Sequence, residues 1–128
     1  MRRPVPPFPE LLRRPTGSFG WLEDRLLHEG WLARLGPDAT SVMVLLALAA
    51  DGHGASFFGR ERMAKALGLD RQAVDRALRR LLELELVAQR PWSQDHPDGV
   101  WQLLTPRRRI KAATGTFSIQ QALAALGF

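Results

Sequence analysis

The sequence predicts a mainly α-helical domain with a small β-hairpin and with extra helices at its N- and C-terminal ends. Three observations support this prediction. Residues 60–83 have the pattern of two helices joined by a tight turn. Residues 38–51 have apolar side chains in nearly every direction around a helix axis, which is typical of a buried core helix. Residues 94–99 combine Pro, Gly and Asp between two short apolar segments, which favours a turn between strands.

The chain of 128 residues is short enough to form one domain with extensions. Residues 1–19 hold five prolines and little periodicity, so we predict a basic Pro-rich arm. This arm is either a disordered leader or a segment that touches a phosphate backbone or a partner subunit. Residues 20–106 form the predicted domain. Residues 107–128 are predicted to be a basic linker and a C-terminal helix, in which Ser118 and Gln121 have capping-box spacing.

Charge is unevenly distributed along the chain, whose net charge is +5. Residues 1–14 carry +3, residues 15–55 carry −3, and residues 56–90 carry +3. Residues 91–106 carry −2 and the tail from residue 107 carries +4. Basic charge therefore collects on the two-helix segment and at both ends, as a protein that binds a polyanion requires. The strong preference for Arg over Lys fits either phosphate binding or a GC-rich genome.

Composition also narrows the class of protein. The chain has no Cys, which excludes disulfides and Cys-based zinc sites. The longest apolar run, residues 42–50, is too short to span a bilayer. The N-terminal arm has no apolar core segment of the kind that a secretory signal needs. We therefore expect a cytoplasmic protein with no membrane partner.

The segment before the core helix is predicted to be a helix over residues 20–35. It holds Trp21 and Trp31, with Gly30 as a candidate break and Gly36-Pro37 as its end. The two Trp side chains either pack in the core or form an exposed interface. Short strands are predicted at residues 55–58, 86–90 and 100–104.

The two-helix segment has the spacing of a helix-turn-helix. Ala64 is small where the second helix crosses, and Gly68 ends the first helix in a left-handed conformation that glycine adopts at least cost. Val74 anchors the second helix in the core. Asp70 precedes that helix, where its carboxylate is placed to accept from free N–H groups.

The second helix of this segment is predicted to have an apolar inner face and a polar outer face. The outer face carries Gln72, Asp75, Arg76 and Arg79, with Arg71 and Arg80 on its flanks. Arg can bind guanine at two points in the major groove of DNA, and Gln can bind adenine in the same way. The alternative is a solvated basic face on an ordinary helical hairpin.

The predicted order of elements is helix, helix, strand, helix, helix, strand, turn, strand. This order resembles the winged-helix family of DNA-binding proteins, and small bacterial members of it in particular. The resemblance covers residues 38–105 and rests on the Ala64, Gly68 and Val74 unit, on Leu86-Val87 and on the strand sequence DGVWQLL. It implies a winged helix-turn-helix fold whose recognition helix is residues 71–83.

The resemblance also implies roles for individual residues. Gln72, Arg76 and Arg79 would lie near bases. Arg60, Lys65 and Arg90 would meet phosphates, which position a protein without reading sequence. The sequence departs from the family at the turn between the last two strands, where Asp95 and Asp98 flank His96. Two carboxylates would repel phosphates, so this turn is expected to stand off the DNA or to meet a protein.

The sequence therefore predicts a transcriptional regulator that binds duplex DNA. Its apolar C-terminal helix is predicted to dock either on its own domain or on a second subunit, and the second arrangement would give a homodimer. Two alternatives are a replication or partition factor of a mobile element and a winged-helix module for protein–protein interaction. An enzyme is not expected, because His28, His53 and His96 show no metal-ligand spacing and no serine lies in an activating motif. For the same reasons we predict no catalytic residue, no metal and no cofactor.

Overall fold

The computed structural model describes residues 3–106 together with residues 123, 126 and 127. The helices are α1 (Arg25–His28), α2 (Trp31–Ala49), α3 (Arg60–Leu67) and α4 (Arg71–Glu83), and the strands are β1 (Ala55–Ser56), β2 (Val87–Arg90) and β3 (Val100–Leu103). This architecture confirms the predicted mainly helical class and the antiparallel hairpin. The predicted basic run at residues 107–111 and capping box at residues 118–121 lie outside the described residues.

Helix α2 lies at the centre of the domain. It packs against α1, α3 and α4 and against β1 and β3, and Val42 and Leu46 on it are buried. The predicted end at Gly36-Pro37 is a kink, because Gly36 has φ 80° and ψ 174° within the helix. The prediction of a core helix is confirmed, although Val44 and Leu48 on it are exposed.

The length and mean hydropathy of α2, 1.4 over its most apolar stretch, would also allow it to cross a membrane. Core helices of folded domains meet the same criterion. The kink and the contacts of α2 with the other three helices favour the role of a core helix.

The predicted helix over residues 20–35 is wrong in its extent. Regular structure starts at α1, and Gly30 with φ 79° separates α1 from α2. The backbone of Gly20 lies against the Ala47 carbonyl so closely that a side chain there would collide with it. Residues around Gly20 therefore run over the end of α2. Trp31 is buried in the core whereas Trp21 is exposed, so the two Trp side chains have different roles.

The sheet has the strand order β1-β3-β2 and is antiparallel throughout. Trp101 on the central strand pairs with Ser56 on one side and Gln89 on the other. Trp101 is almost fully buried, and β3 packs on α2, which fixes the sheet to the helical layer. Strand β1 is shorter than the predicted residues 55–58.

The C-terminal region docks on its own domain at one described position. Leu126 is buried and belongs to the hydrophobic core. Its carbonyl accepts a hydrogen bond from Nη1 of Arg60 at 3.1 Å. This contact favours docking of the C-terminal segment on its own domain over docking on a second subunit.

Candidate nucleic-acid interface

The turn between α3 and α4 forms as the sequence predicts. Gly68 ends α3 in the left-handed conformation, with φ 66° and ψ 31°. The N–H of Leu69 donates to the Ala64 carbonyl at 3.0 Å, and Oδ1 of Asp70 accepts from the N–H of Ala73 at 2.7 Å. These contacts satisfy backbone groups at both helix ends. They set the direction in which α4 leaves the turn.

Helix α4 has one face in the core and one in solvent. Val74, Leu78 and Leu81 are fully buried and hold the inner face against α2 and α3. The exposed residues on the other side are Gln72, Arg76, Arg79, Arg80 and Glu83, and Arg71 is half-buried. Because the apolar face fits only one way into the core, the direction of the polar face is fixed as well.

The centre of the outer face is open. Gln72 and Arg76 are exposed and make no hydrogen bond or ion pair within the described part of the chain. Nε of Arg79 donates to Glu83 at 3.0 Å, and the Arg79 side chain is 59% exposed. An exposed ion pair between residues one helical turn apart contributes little stability. Arg79 can therefore leave Glu83 for another anion at small cost.

The flanking arginines have protein partners. Arg71 donates to Glu61 at 2.7 Å and to Asp75 at 3.2 Å. Partial burial lowers the pKa of Arg71, but the hydrogen bond and charge of Asp75, the hydrogen bond to Glu61 and the charge of Asp98 together outweigh it and raise the pKa above its usual range. Arg80 donates to the Arg34 carbonyl at 2.7 Å, just before the kink in α2. Both residues hold α4 in place in addition to carrying charge.

Arg60 lies in a different setting from the one that the family resemblance implies. Its side chain is only 13% exposed and forms an ion pair with Asp98 at 3.0 Å and with Asp75 at 3.3 Å. A third contact joins it to the carbonyl of Leu126. With its guanidinium engaged by these groups, Arg60 is part of the framework, and we no longer expect it to bind a phosphate.

Lys65 and Arg90 retain the setting that a phosphate contact needs. Lys65 is exposed on α3 and Arg90 is exposed at the end of β2. Neither makes an ion pair with another described residue. Together with Arg76, Arg79 and Arg80, they are predicted site residues that carry positive charge and are exposed.

The turn between β2 and β3 exposes less negative charge than the sequence predicts. Asp98 points inward, where Oδ2 accepts from the N–H of Arg60 at 2.7 Å and Oδ1 pairs with its guanidinium. It thereby caps the start of α3 from 38 residues away. Asp95 remains exposed. The turn therefore offers solvent one free carboxylate where the sequence suggested two.

An aromatic cluster beside this turn was missed by sequence reasoning. Phe57 stacks on His96 with a centroid distance of 4.2 Å and meets Trp92 edge-on at 5.5 Å. Trp92 is exposed. Phe57 is 35 positions before Trp92 in the chain, and only the bend predicted at Pro91-Trp92 indicated that this part of the hairpin is unusual.

A metal site would need several His, Asp or Glu side chains close together. No group of three His, Asp or Glu side chains within them is placed to hold a metal ion. Comparisons with family models, with curated proteins and with solved structures found no match for this chain.

Proposed function

We propose that this chain is a winged-helix protein that binds duplex DNA through α4 and acts as a transcriptional regulator in the cytoplasm. In this proposal α3 and α4 are the helix-turn-helix, α4 is the recognition helix, and the β2–β3 hairpin is the wing. The strand order β1-β3-β2, with β1 before α3 and the hairpin after α4, supports it.

The proposal rests on the middle of the outer face of α4, which is exposed to solvent. Gln72 and Arg76 are one turn apart, exposed and without protein partners in the described structure, on a helix whose opposite face is buried. Because these two side chains have no hydrogen bond or ion pair to break within the described residues, the main cost of binding a base edge is their own ordering, about 0.5–1.5 kcal/mol for each. Arg76 has the two donors that bind guanine O6 and N7, and the Gln72 amide has the donor and the acceptor that bind adenine N7 and N6 in the major groove.

Selection of bound duplexes from a random pool tests the proposal, followed by titration of a selected duplex as salt rises. Each phosphate contact releases counterions, so the logarithm of the binding constant should fall linearly with the logarithm of salt concentration, with a slope of about −0.9 per contact. Lys65→Ala should make this slope shallower by about 1. Failure to enrich any sequence, or a binding constant that ignores salt, would remove DNA binding as the function.

Arg62→Ala provides a matched control for the loss of one positive charge. Arg62 lies on α3, and its guanidinium stacks over Phe58 at 4.3 Å, so it is not offered as a phosphate contact. Its removal should leave the salt slope within error of the wild type.

A second candidate function is protein–protein interaction through the same fold. The exposed aromatic side chains of Trp21 and Trp92 favour it, because large exposed apolar side chains are enriched at interfaces. Recovery of a stable partner from nuclease-treated extract, unaffected by Arg76→Ala but lost with Trp92→Ala, would support this function over DNA binding.

A further inference from the structure

A cavity of about 620 Å³ lies on the side of α2 where the N-terminal segment crosses it. Its floor is apolar and includes Leu26, Met43 and Leu86, and Trp21 stands at its edge. Its volume falls in the range of about 300–1,000 Å³ that is typical of ligand pockets. The cavity therefore has room for the side chains of a short peptide segment.

The charge of the cavity narrows the choice of occupant. Glu23 and Asp51 line it, and no Lys or Arg belongs to the lining within the described residues. This matches the excess of negative charge over residues 15–55. The cavity therefore suits an apolar segment that also carries positive charge.

The N-terminal arm of the chain has that chemistry. Leu11 and Leu12 are followed directly by Arg13 and Arg14. Leu11 is 70% exposed and Leu12 is 56% exposed, and the short 3-10 turn Pro9–Leu11 packs against no other helix or strand that the structure describes. Two adjacent leucines left in water lose the stabilisation that burial would give.

The path of the arm favours a cavity on another molecule. The close packing of Gly20 on Ala47 fixes the base of the arm at the mouth of its own cavity. From there the arm runs outward, exposed over residues 3–18, and Pro15 restricts Arg14 to extended conformations. A return into the same cavity would need a reversal within the few residues between Pro15 and Gly20.

We infer that two copies of the chain exchange arms, so that Leu11 and Leu12 of each enter the cavity of the other while Arg13 and Arg14 face Glu23 and Asp51. Reciprocal exchange gives a closed two-fold dimer, in which the same contact occurs twice. The inference stands independently of DNA binding, although a two-fold dimer would also place two α4 helices on one duplex.

Light scattering after size-exclusion chromatography of the full chain, over a hundredfold range of concentration, tests the dimer. The double variant Leu11→Asp, Leu12→Asp should weaken dimerisation by more than about tenfold, because charges replace apolar groups at a buried contact. Its melting temperature at low concentration should change little, since Leu11 and Leu12 are 70% and 56% exposed within one copy. Val5→Asp, on the same exposed arm, is the control and should leave the dimer intact.

Charge reversal tests the ionic part of the contact. Arg13→Glu with Arg14→Glu should weaken the dimer, and adding Glu23→Lys should restore it in part. A monomeric wild type over the whole concentration range, or a dimer that persists in the Leu11→Asp, Leu12→Asp variant, would overturn the inference.

A disulfide experiment distinguishes exchange of arms between two copies from insertion of the arm into the cavity of the same copy. The chain has no Cys, so Leu12→Cys and Thr105→Cys, at the cavity edge, introduce single thiols into separate preparations. Oxidising the mixture should give a covalent dimer well above the level from either variant alone. If the mixture gives none while a chain carrying both substitutions forms an internal disulfide, exchange is wrong.

Discussion

At the scale of single residues, Asp51 closes the turn between α2 and β1. Its Oδ1 accepts from the backbone N–H groups of His53 at 2.8 Å and Ala55 at 3.1 Å. The hydrogen bond from Ala55 and then that from His53 lower the pKa of the Asp51 carboxyl, because both stabilise the charged form. A carboxyl with a lowered pKa stabilises the fold only while it is ionised.

Asp51→Asn should therefore destabilise the fold in a pH-dependent way. The variant keeps an acceptor oxygen and removes the charge, so its deficit in unfolding free energy should be fully present above about pH 4. The deficit should shrink as the pH falls through the lowered pKa, since wild-type Asp51 is then protonated too. Urea unfolding at pH 7 and at pH 3 measures the difference.

Asp95→Asn is the control for this experiment, because Asp95 is exposed and accepts no hydrogen bond from another described residue. It should change stability little at either pH. A deficit for Asp51→Asn that is the same at pH 7 and pH 3 would contradict the role given to the charge of Asp51.

At the scale of elements, one cluster joins α3, α4, the β2–β3 turn and Leu126. Arg60 opens α3, pairs with Asp98 from the turn and with Asp75 from α4, and donates to the carbonyl of Leu126. The side chains of Arg60 and Asp98 are 13% and 16% exposed. Removal of one member of such a pair leaves a poorly solvated charge without its partner.

Arg60→Ala should lower the free energy of unfolding by about 2–3 kcal/mol, somewhat less than the cost for a fully buried pair. Arg62→Ala, two residues along the same helix, should cost less than about 1 kcal/mol because its contact with Phe58 is a cation–π interaction near the surface. Once Asp98→Ala is present, Arg60→Ala should cost much less than it does alone. Equal effects of Arg60→Ala and Arg62→Ala would show that the cluster does not stabilise the fold.

Element prediction from the sequence succeeded where the signals are local. Gly68 and Asp70 end α3 and begin α4 through contacts with residues at most five positions away, so their chemistry can be recognised without the fold. The Arg60–Asp98 pair joins residues 38 positions apart. No spacing rule reveals such a pair, and this is why Asp98 was expected in solvent and Arg60 at a phosphate.

The failure of the prediction at residues 20–35 has a physical cause. Periodicity identifies apolar positions but does not tell which neighbour covers them. Residues around Gly20 run over the end of α2 as irregular chain, and Leu48 on α2 stays exposed. Left-handed Glu85, with φ 55°, follows α4 and was likewise not predictable, since glycine is the usual residue in that conformation.

At the scale of the whole molecule, charge divides between two regions. The outer face of α4 presents Arg76 and Arg79 to solvent, while the cavity beside α2 has carboxylates in its lining. This division fits a protein that meets a polyanion with α4 and a basic segment with the cavity. The uneven charge along the sequence predicted the basic face of α4. The cavity could not be predicted from the sequence, because Glu23 and Asp51 line the same space only when the N-terminal segment crosses α2.

The measurement that tests DNA binding by α4 most directly compares the base preferences of the wild type, Arg76→Ala and Lys65→Ala on duplexes from the selection, at one salt concentration. Arg76→Ala should lose about 1–3 kcal/mol of discrimination at one base-pair position and keep its preferences elsewhere. Lys65→Ala should weaken binding to all sequences alike. Unchanged base preference in Arg76→Ala, with affinity equal to the wild type, would contradict the assignment of α4 as the helix that reads DNA.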